Sequence, residues 1–148
     1  MLGKRNQLRI GRGPSVPERL VFDSESVLAF YLAEEGGDVV RDCLEKVQNG
    51  EAEGYMSVIT LTEIYYILCR VNHKLAEEKE RNLRLYGLKV VPVKDDDLWR
   101  EAARIKCGHA LSLADAFAAA TAKVCKAKLI VGSDKEFNEL NIELLRIR

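Results

Sequence analysis

From Leu20 onward, segments with a strand-like hydrophobic pattern alternate with segments whose apolar residues recur every three or four positions. This alternation predicts an α/β domain with a mostly parallel sheet of about five strands, covered by helices on both faces. The predicted strands are residues 20–22, 55–58, 88–93, 128–131 and 142–147. The predicted helices are residues 26–33, 39–47, 61–71, 75–86, 98–105, 112–126 and a short one at 134–140.

The composition is typical of one globular domain: the chain has 148 residues, of which 47% are hydrophobic and 31% charged. The formal net charge is zero, so no overall charge attracts nucleic acid or anionic lipid. Residues 1–19 carry five basic residues and one acidic residue, with several glycines and prolines. We expect a basic, flexible N-terminal arm at 1–19, either a solvated leader or a segment that touches phosphates, ahead of a domain at 20–148.

The apolar and cysteine patterns exclude several classes of protein. The longest apolar run has seven residues, 27–33, and a membrane span needs about 18. Because the N-terminus also lacks the apolar core of a signal peptide, we expect a cytoplasmic protein without a membrane segment. The four cysteines are widely spaced and the chain has only two histidines, so we expect reduced thiols rather than disulfides or a cysteine–histidine zinc site.

Four acidic residues are expected at the same edge of the sheet. Asp23 and Asp134 follow the first and fourth predicted strands, and Glu63 lies in the first predicted turn of the helix after the second strand. The helix that begins near Asp115 ends just before the fourth strand, so its start should also reach the carboxyl edge, where ligands bind in parallel sheets. Each acid alone is equally explained as a helix cap: Thr60 with Glu63 and Ser112 with Asp115 have capping-box spacing.

A cluster of such carboxylates needs compensation of its charge. Two unit charges 4 Å apart repel by about 4 kcal/mol at an effective dielectric of about 20. Either protons bind and the pKa values of some carboxyls rise, or a cation binds. Ligands that offer only oxygen favour a hard ion, Mg²⁺ or Mn²⁺, which would promote hydrolysis of a phosphodiester.

The four acids lie in four short motifs. The motifs are Leu-Val-Phe-Asp23-Ser24, Ile-Thr-Leu-Thr-Glu63-Ile, Leu-Ser-Leu-Ala-Asp115-Ala and Ile-Val-Gly-Ser133-Asp134-Lys. In this order they resemble the PIN-domain family, which includes VapC-type toxin ribonucleases. The resemblance covers about residues 20–147 and implies a three-layer α/β/α fold and a divalent-metal-dependent endoribonuclease, with RNA as substrate. It also implies a homodimer and a cognate antitoxin, and it makes Asp23, Glu63, Asp115 and Asp134 the metal ligands, with Ser133 beside the last.

Two other functions fit parts of this pattern. A phosphotransfer enzyme would use Asp23 as an aspartyl nucleophile, but such enzymes often carry a second Asp two positions later, where this chain has Glu25. A PIN-like fold with an idle site would instead be a module that binds RNA or protein. His109 precedes the helix of Asp115 and is interpreted as a capping or solvated loop histidine, with a phosphate contact as the alternative.

Overall fold

The structure is a computed structural model that describes residues 16–148. Its strands are β1 (Glu18–Phe22), β2 (Ala52–Ser57), β3 (Lys89–Val91), β4 (Lys128–Val131) and β5 (Leu144–Arg146). Its helices are α1 (Ser24–Tyr31), α2 (Gly37–Gln48), α3 (Val58–Cys69), α4 (His73–Tyr86), α5 (Asp96–Gly108), α6 (Leu113–Cys125) and a 3₁₀ helix (Lys135–Glu139).

The strands form one parallel sheet in the order β3-β2-β1-β4-β5. From β1 the chain first adds strands on one side, β2 and β3, and then adds β4 and β5 on the other side. The order therefore reverses between β1 and β4, and such a switch point opens a crevice at the carboxyl ends of the two strands. The predicted five-stranded α/β fold is confirmed, and every strand pair is parallel.

Alternating residues of β1 divide the core into two layers. Leu20 and Phe22 face one side and pack with residues of α1, α2, α3 and α4. Val21 faces the other side and packs with residues of α5 and α6. Because all three side chains are fully buried, the central strand has apolar neighbours on both faces, as expected for a three-layer α/β/α domain.

Side-chain caps start the elements that leave the carboxyl edge. Asp23 caps α1, Ser57 caps α3, Ser112 caps α6 and Asp134 caps the 3₁₀ helix, and each accepts a hydrogen bond from a backbone amide near the start of its element. Asp23 directly follows β1, Ser57 is the last residue of β2, and Asp134 follows β4 after two residues. The caps therefore fix where these elements begin, next to the switch point.

Three predictions from the sequence need correction. Strand β1 begins at Glu18, two residues before the predicted strand, so the end of the predicted arm, residues 18 and 19, is part of the sheet. Residues 1–15 of that arm lie outside the described residues. Helix α3 begins at Val58 with Ser57 as its cap, so Thr60 and Glu63 form no capping box, and Glu63 lies in the second turn.

Between residues 16 and 148, none of the helices combines the length and the apolar character needed to cross a bilayer.

Candidate active site

Asp23 lies at the switch point of the sheet, in the junction between β1 and α1. Its backbone amide donates to the Ile130 carbonyl of β4 at 3.3 Å, so the ends of the two strands are directly joined. Its Oδ1 accepts a hydrogen bond of 2.8 Å from the Ser26 amide, and the residue is only 1% exposed. Burial raises the pKa of Asp23 to about 7, the Ser26 hydrogen bonds oppose this rise, and the charges of Asp115 and Glu25 add to it.

Asp115 lies in the first turn of α6, and its amide donates to the Ser112 hydroxyl at 3.1 Å. Partial burial raises the pKa of Asp115 to about 6. A hydrogen bond with Ser112 opposes the rise, whereas the negative charges of Glu63, Asp134 and Glu25 contribute to it. Asp115 thus interacts electrostatically with Glu63 and Asp134, and Asp23 in turn interacts with Asp115. The fold therefore brings the four predicted acids into one electrostatic neighbourhood.

Glu63 is held by the first residue of α1. The Ser24 hydroxyl donates a hydrogen bond of 2.5 Å to Glu63 Oε1, which links the start of α1 to the second turn of α3. A hydrogen bond from a hydroxyl to an ionised carboxylate is stronger than one between two neutral groups, and it restrains the side chain of the acceptor. Ser24 therefore positions the Glu63 carboxylate beside the cleft described below.

Asp134 and Ser133 follow β4 but point to different partners. Asp134 Oδ1 accepts from the Glu136 amide at 2.9 Å and so caps the 3₁₀ helix. The Ser133 amide and hydroxyl lie 3.4 and 3.5 Å from Oε2 of Glu25, the acid in the first turn of α1. Ser133 therefore contacts a carboxylate that the motif comparison did not include.

Two of the four predicted acids, Glu63 and Asp115, border an open cleft of about 320 Å³ between α1, α3 and α6, whereas Asp23 and Asp134 are not part of its wall. Every charged residue on its wall is acidic, and leucines and an isoleucine form the rest of the lining together with two serines. The lining residues are Ser24, Glu25, Leu28, Leu32, Glu34, Glu63, Ile67, Ser112 and Asp115. A cleft with this wall attracts cations and repels a bare phosphate group.

The comparisons with known proteins agree with this architecture. A family model described as "PIN domain" matches residues 20–143. The chain belongs to the PIN domain family. No match was found among curated proteins.

Solved structures similar to this PIN domain include proteins of toxin–antitoxin systems. A toxin–antitoxin complex from Klebsiella pneumoniae has a TM-score of 0.67 at 16% identity, covering 87% of this chain and 98% of the other. VapBC2 from Rickettsia felis, bound to a DNA fragment from its promoter, has a TM-score of 0.67 at 16% identity, covering 86% and 98%. DNA-bound VapBC from Salmonella typhimurium has a TM-score of 0.68 at 14% identity, covering 90% and 100%. At these identities the likeness establishes the fold.

Glu25 and Arg148 of this PIN domain belong to the same site but were not predicted. Arg148 Nη2 lies 2.6 Å from Glu25 Oε2, and Arg148 Nη1 donates to the Glu35 carbonyl at 2.8 Å. A Cβ atom on Gly132 would overlap the Glu25 carboxyl group, so glycine is required for Glu25 to reach this place. The spacing from Asp23 to Glu25 was the only sequence signal for Glu25, and nothing in the sequence links Arg148 to it.

The donor set of this PIN domain fits a hard divalent cation, because Asp23, Glu63, Asp115 and Asp134 offer only carboxylate oxygens. The pKa values of Asp23 and Asp115 are raised because nearby positive charge does not offset the burial and the mutual repulsion of these two carboxylates. Within residues 16–148, the trio whose ligand atoms all lie within 4.8 Å of one another is a different one, His109 with Glu136 and Glu139. Ion binding by the four acids would therefore require at least one of their side chains to rotate inward.

Proposed function

We propose that this PIN domain is a divalent-metal-dependent endoribonuclease that hydrolyses RNA phosphodiester bonds. The observation that carries the proposal is the electrostatic coupling of four carboxylates from four separate segments at the switch point of the sheet. Helix capping explains why Asp23 and Asp134 stand at the starts of their elements. It does not explain Glu63, which lies in the second turn of α3 and is turned toward α1 by Ser24.

The proposed roles follow from these positions. Asp23, Asp115 and Asp134 would hold Mg²⁺ or Mn²⁺, with Glu63 holding bound water or a second ion. A bound divalent ion would lower the pKa of a coordinated water molecule and would stabilise the negative charge that develops on the phosphate oxygens. One of the carboxylates would accept the proton of the attacking water.

Ser24 and Ser133 would act as positioning residues. Ser24 fixes the Glu63 carboxylate by its 2.5 Å hydrogen bond. Ser133 lies against Oε2 of Glu25, and Arg148 Nη2 contacts the same oxygen at 2.6 Å. The positive charge of the Arg148 guanidinium offsets part of the negative charge that Glu25 adds to the site. Glu25 would therefore position Ser133 rather than compete for the ion.

We further propose that the chain is the toxin of a toxin–antitoxin pair and forms a homodimer. The similar structures, which are described as toxin–antitoxin or VapBC proteins from several bacteria, support the toxin assignment, and the homodimer is what the resemblance to PIN domains implies. A protein antitoxin would then be the partner of this PIN domain. An RNA substrate would place its activity in the cytoplasm.

Cleavage assays with the purified full chain test the catalytic proposal. Labelled single-stranded and hairpin RNAs would be incubated with Mg²⁺, Mn²⁺ or EDTA. We expect internal cleavage with either ion, no cleavage in EDTA, and no cleavage by Asp115→Asn. The matched control is Asp38→Asn, which changes an exposed acid in the first turn of α2 and should cleave like the wild type.

Four outcomes would contradict the proposal. Cleavage that persists in EDTA, or in Asp115→Asn, would remove the carboxylate–metal mechanism. Tight RNA binding without cleavage under every condition would favour the idle binding module instead. Trapping of a phosphoryl group on Asp23 would favour the phosphotransfer enzyme.

A further inference from the structure

His109, Glu136 and Glu139 form a cluster that the proposed ribonuclease site does not use. Each offers one ligand atom, and these atoms all lie within 4.8 Å of one another. His109 follows α5 in the short link to α6, and the two glutamates belong to the 3₁₀ helix. The cluster therefore joins two segments of the chain that are adjacent only in the folded protein.

The imidazole of His109 has an unsatisfied nitrogen inside this cluster. Its Nδ1 is buried and has no hydrogen-bond partner among residues 16–148. The Glu139 carboxylate comes close, with Oε1 at 3.6 Å from Nδ1, but this exceeds hydrogen-bonding distance. A buried polar atom without a partner is unfavourable because it has lost its hydrogen bonds to water. A ligand that both Nδ1 and Glu139 can contact would remove this cost.

The two glutamates leave room for such a ligand. Glu136 Oε1 accepts a hydrogen bond of 3.2 Å from the Ala110 amide, so its second oxygen can bind another group. The Glu139 side chain is 63% exposed, and His109 and Glu139 line an open cavity of about 330 Å³. Solvent therefore reaches the cluster and can complete the coordination of an ion.

The positive charges around the cavity are already engaged. Arg104 and Lys123 also line it, but both pair with Glu101, at 3.5 and 2.9 Å. Within residues 16–148, neither Arg104 nor Lys123 forms an ion pair with Glu136 or Glu139. Two carboxylates with a neutral imidazole balance the charge of a divalent cation.

We propose that His109, Glu136 and Glu139 form a second metal site, for a divalent transition-metal ion such as Zn²⁺, that ties the segment before α6 to the 3₁₀ helix. An imidazole nitrogen with carboxylate oxygens is a common ligand set for Zn²⁺ and a poor one for Mg²⁺. The ligand types thus separate this site from the oxygen-only acids. A site with one histidine and two glutamates needs no cysteine ligand, so it is compatible with the wide spacing of the four cysteines.

The position of this site gives it a structural role. The link that contains His109 leads into α6, which carries Asp115, and the 3₁₀ helix begins just after Asp134. An ion held between the two segments would restrain both of these acids relative to each other. We therefore expect the ion to slow amide hydrogen exchange in residues 109–112 and 135–139, a readout that needs no RNA.

Titration calorimetry with Zn²⁺ tests the site, using the full chain in excess Mg²⁺ to occupy the oxygen-only acids. We expect about one equivalent of Zn²⁺ to bind to the wild type. His109→Gln should bind at least about tenfold more weakly, since even residues that only support a metal ligand contribute about 10–100-fold to affinity. The matched control is His73→Gln, which removes the other histidine of the chain, whose Nδ1 lies 3.2 Å from Cys69 Sγ. This control should bind like the wild type.

Crystals of the wild type soaked in Zn²⁺ and Mg²⁺ provide a measurement that does not depend on a variant folding. Anomalous density at the zinc edge between His109, Glu136 and Glu139 would support the site. Unchanged affinity in His109→Gln, loss of binding only in His73→Gln, or zinc density confined to the four acids would overturn it. None of these results depends on RNA cleavage, so failure here and failure of the proposed ribonuclease function are distinguishable.

Discussion

Ser24 donates a 2.5 Å hydrogen bond to Oε1 of Glu63, and this contact turns an acid of α3 toward the residues that follow β1. The two residues are distant in sequence and stand on different helices. Glu63 is also the predicted acid that no helix cap accounts for, so its orientation depends on Ser24 more than on its own helix.

Removal of this hydroxyl should reduce activity more than stability. Ser24→Ala frees the Glu63 carboxylate, and we expect RNA cleavage to fall by about 10–100-fold, the usual effect of losing a residue that orients a ligand. The free energy of unfolding should change by only about 1 kcal/mol. Ser24→Thr retains the hydroxyl and should keep most of the activity. Equal cleavage by Ser24→Ala and wild type would show that the hydrogen bond has no functional role.

The buried carboxyl of Asp23 should make stability fall as pH rises. Its pKa is about 7 in the folded protein and about 4 in an unfolded chain, so the folded state favours the protonated form. The resulting stabilisation is present below pH 4 and is lost by about pH 7. In EDTA, Asp23→Asn should therefore be about 2–4 kcal/mol more stable than wild type at pH 8 and similar at pH 4. Thermal unfolding across this pH range measures the difference, with Asp38→Asn as the control that should follow the wild type.

Divalent ions should stabilise the wild type at pH 8, where Asp23 and Asp115 are ionised. A ligand that binds only the folded state at 100 times its dissociation constant adds about 2.7 kcal/mol to stability. Mn²⁺ should therefore raise the melting temperature of the wild type, and EDTA should reverse the rise. Asp115→Asn should show a much smaller shift. A shift of the same size in both proteins would place the bound Mn²⁺ elsewhere.

Gly132 and Glu25 should be energetically coupled. Gly132→Ala places a methyl group where the Glu25 carboxyl group lies, which must then move away from its ion pair with Arg148. Because this carboxyl group is the end of a flexible side chain, we expect a loss of at most about 1 kcal/mol in stability, whereas the same change in a Glu25→Ala background should cost almost nothing. Denaturant unfolding of the two single variants and the double variant gives the coupling energy. Strictly additive effects would mean that the two residues do not contact each other in solution.

The alanines of α6 permit close packing of this helix on the sheet. Ala119 is fully buried in the core layer that contains Val21. Ala119→Leu should destabilise the protein by about 1–3 kcal/mol through overpacking. Val124→Leu, on the same helix at a residue that is 52% exposed, should change stability by less than about 0.5 kcal/mol. Chemical denaturation of both variants distinguishes packing from a general intolerance of α6 to leucine.

Local patterns explain which parts of the fold were predictable. The apolar run at Leu20 predicted β1, because burial on both faces leaves a direct mark on the sequence, and the helix predicted over residues 75–86 corresponds to α4. The start of α3 was wrong because Val58 and Ile59 after Ser57 fit the end of a strand, and Thr60 offered an equally good cap by its spacing from Glu63.

The sequence by itself determined the order and type of the elements and placed Asp23 and Asp134 just after strands, since periodicity and caps are local properties of a chain. It could not determine the partners of these acids. The tertiary structure decided that Arg148 reaches Glu25, that Ser24 holds Glu63 and that His109 meets Glu139. Those contacts depend on strand order and side-chain rotamers, which are set by packing across the whole domain and leave no regular spacing in the sequence.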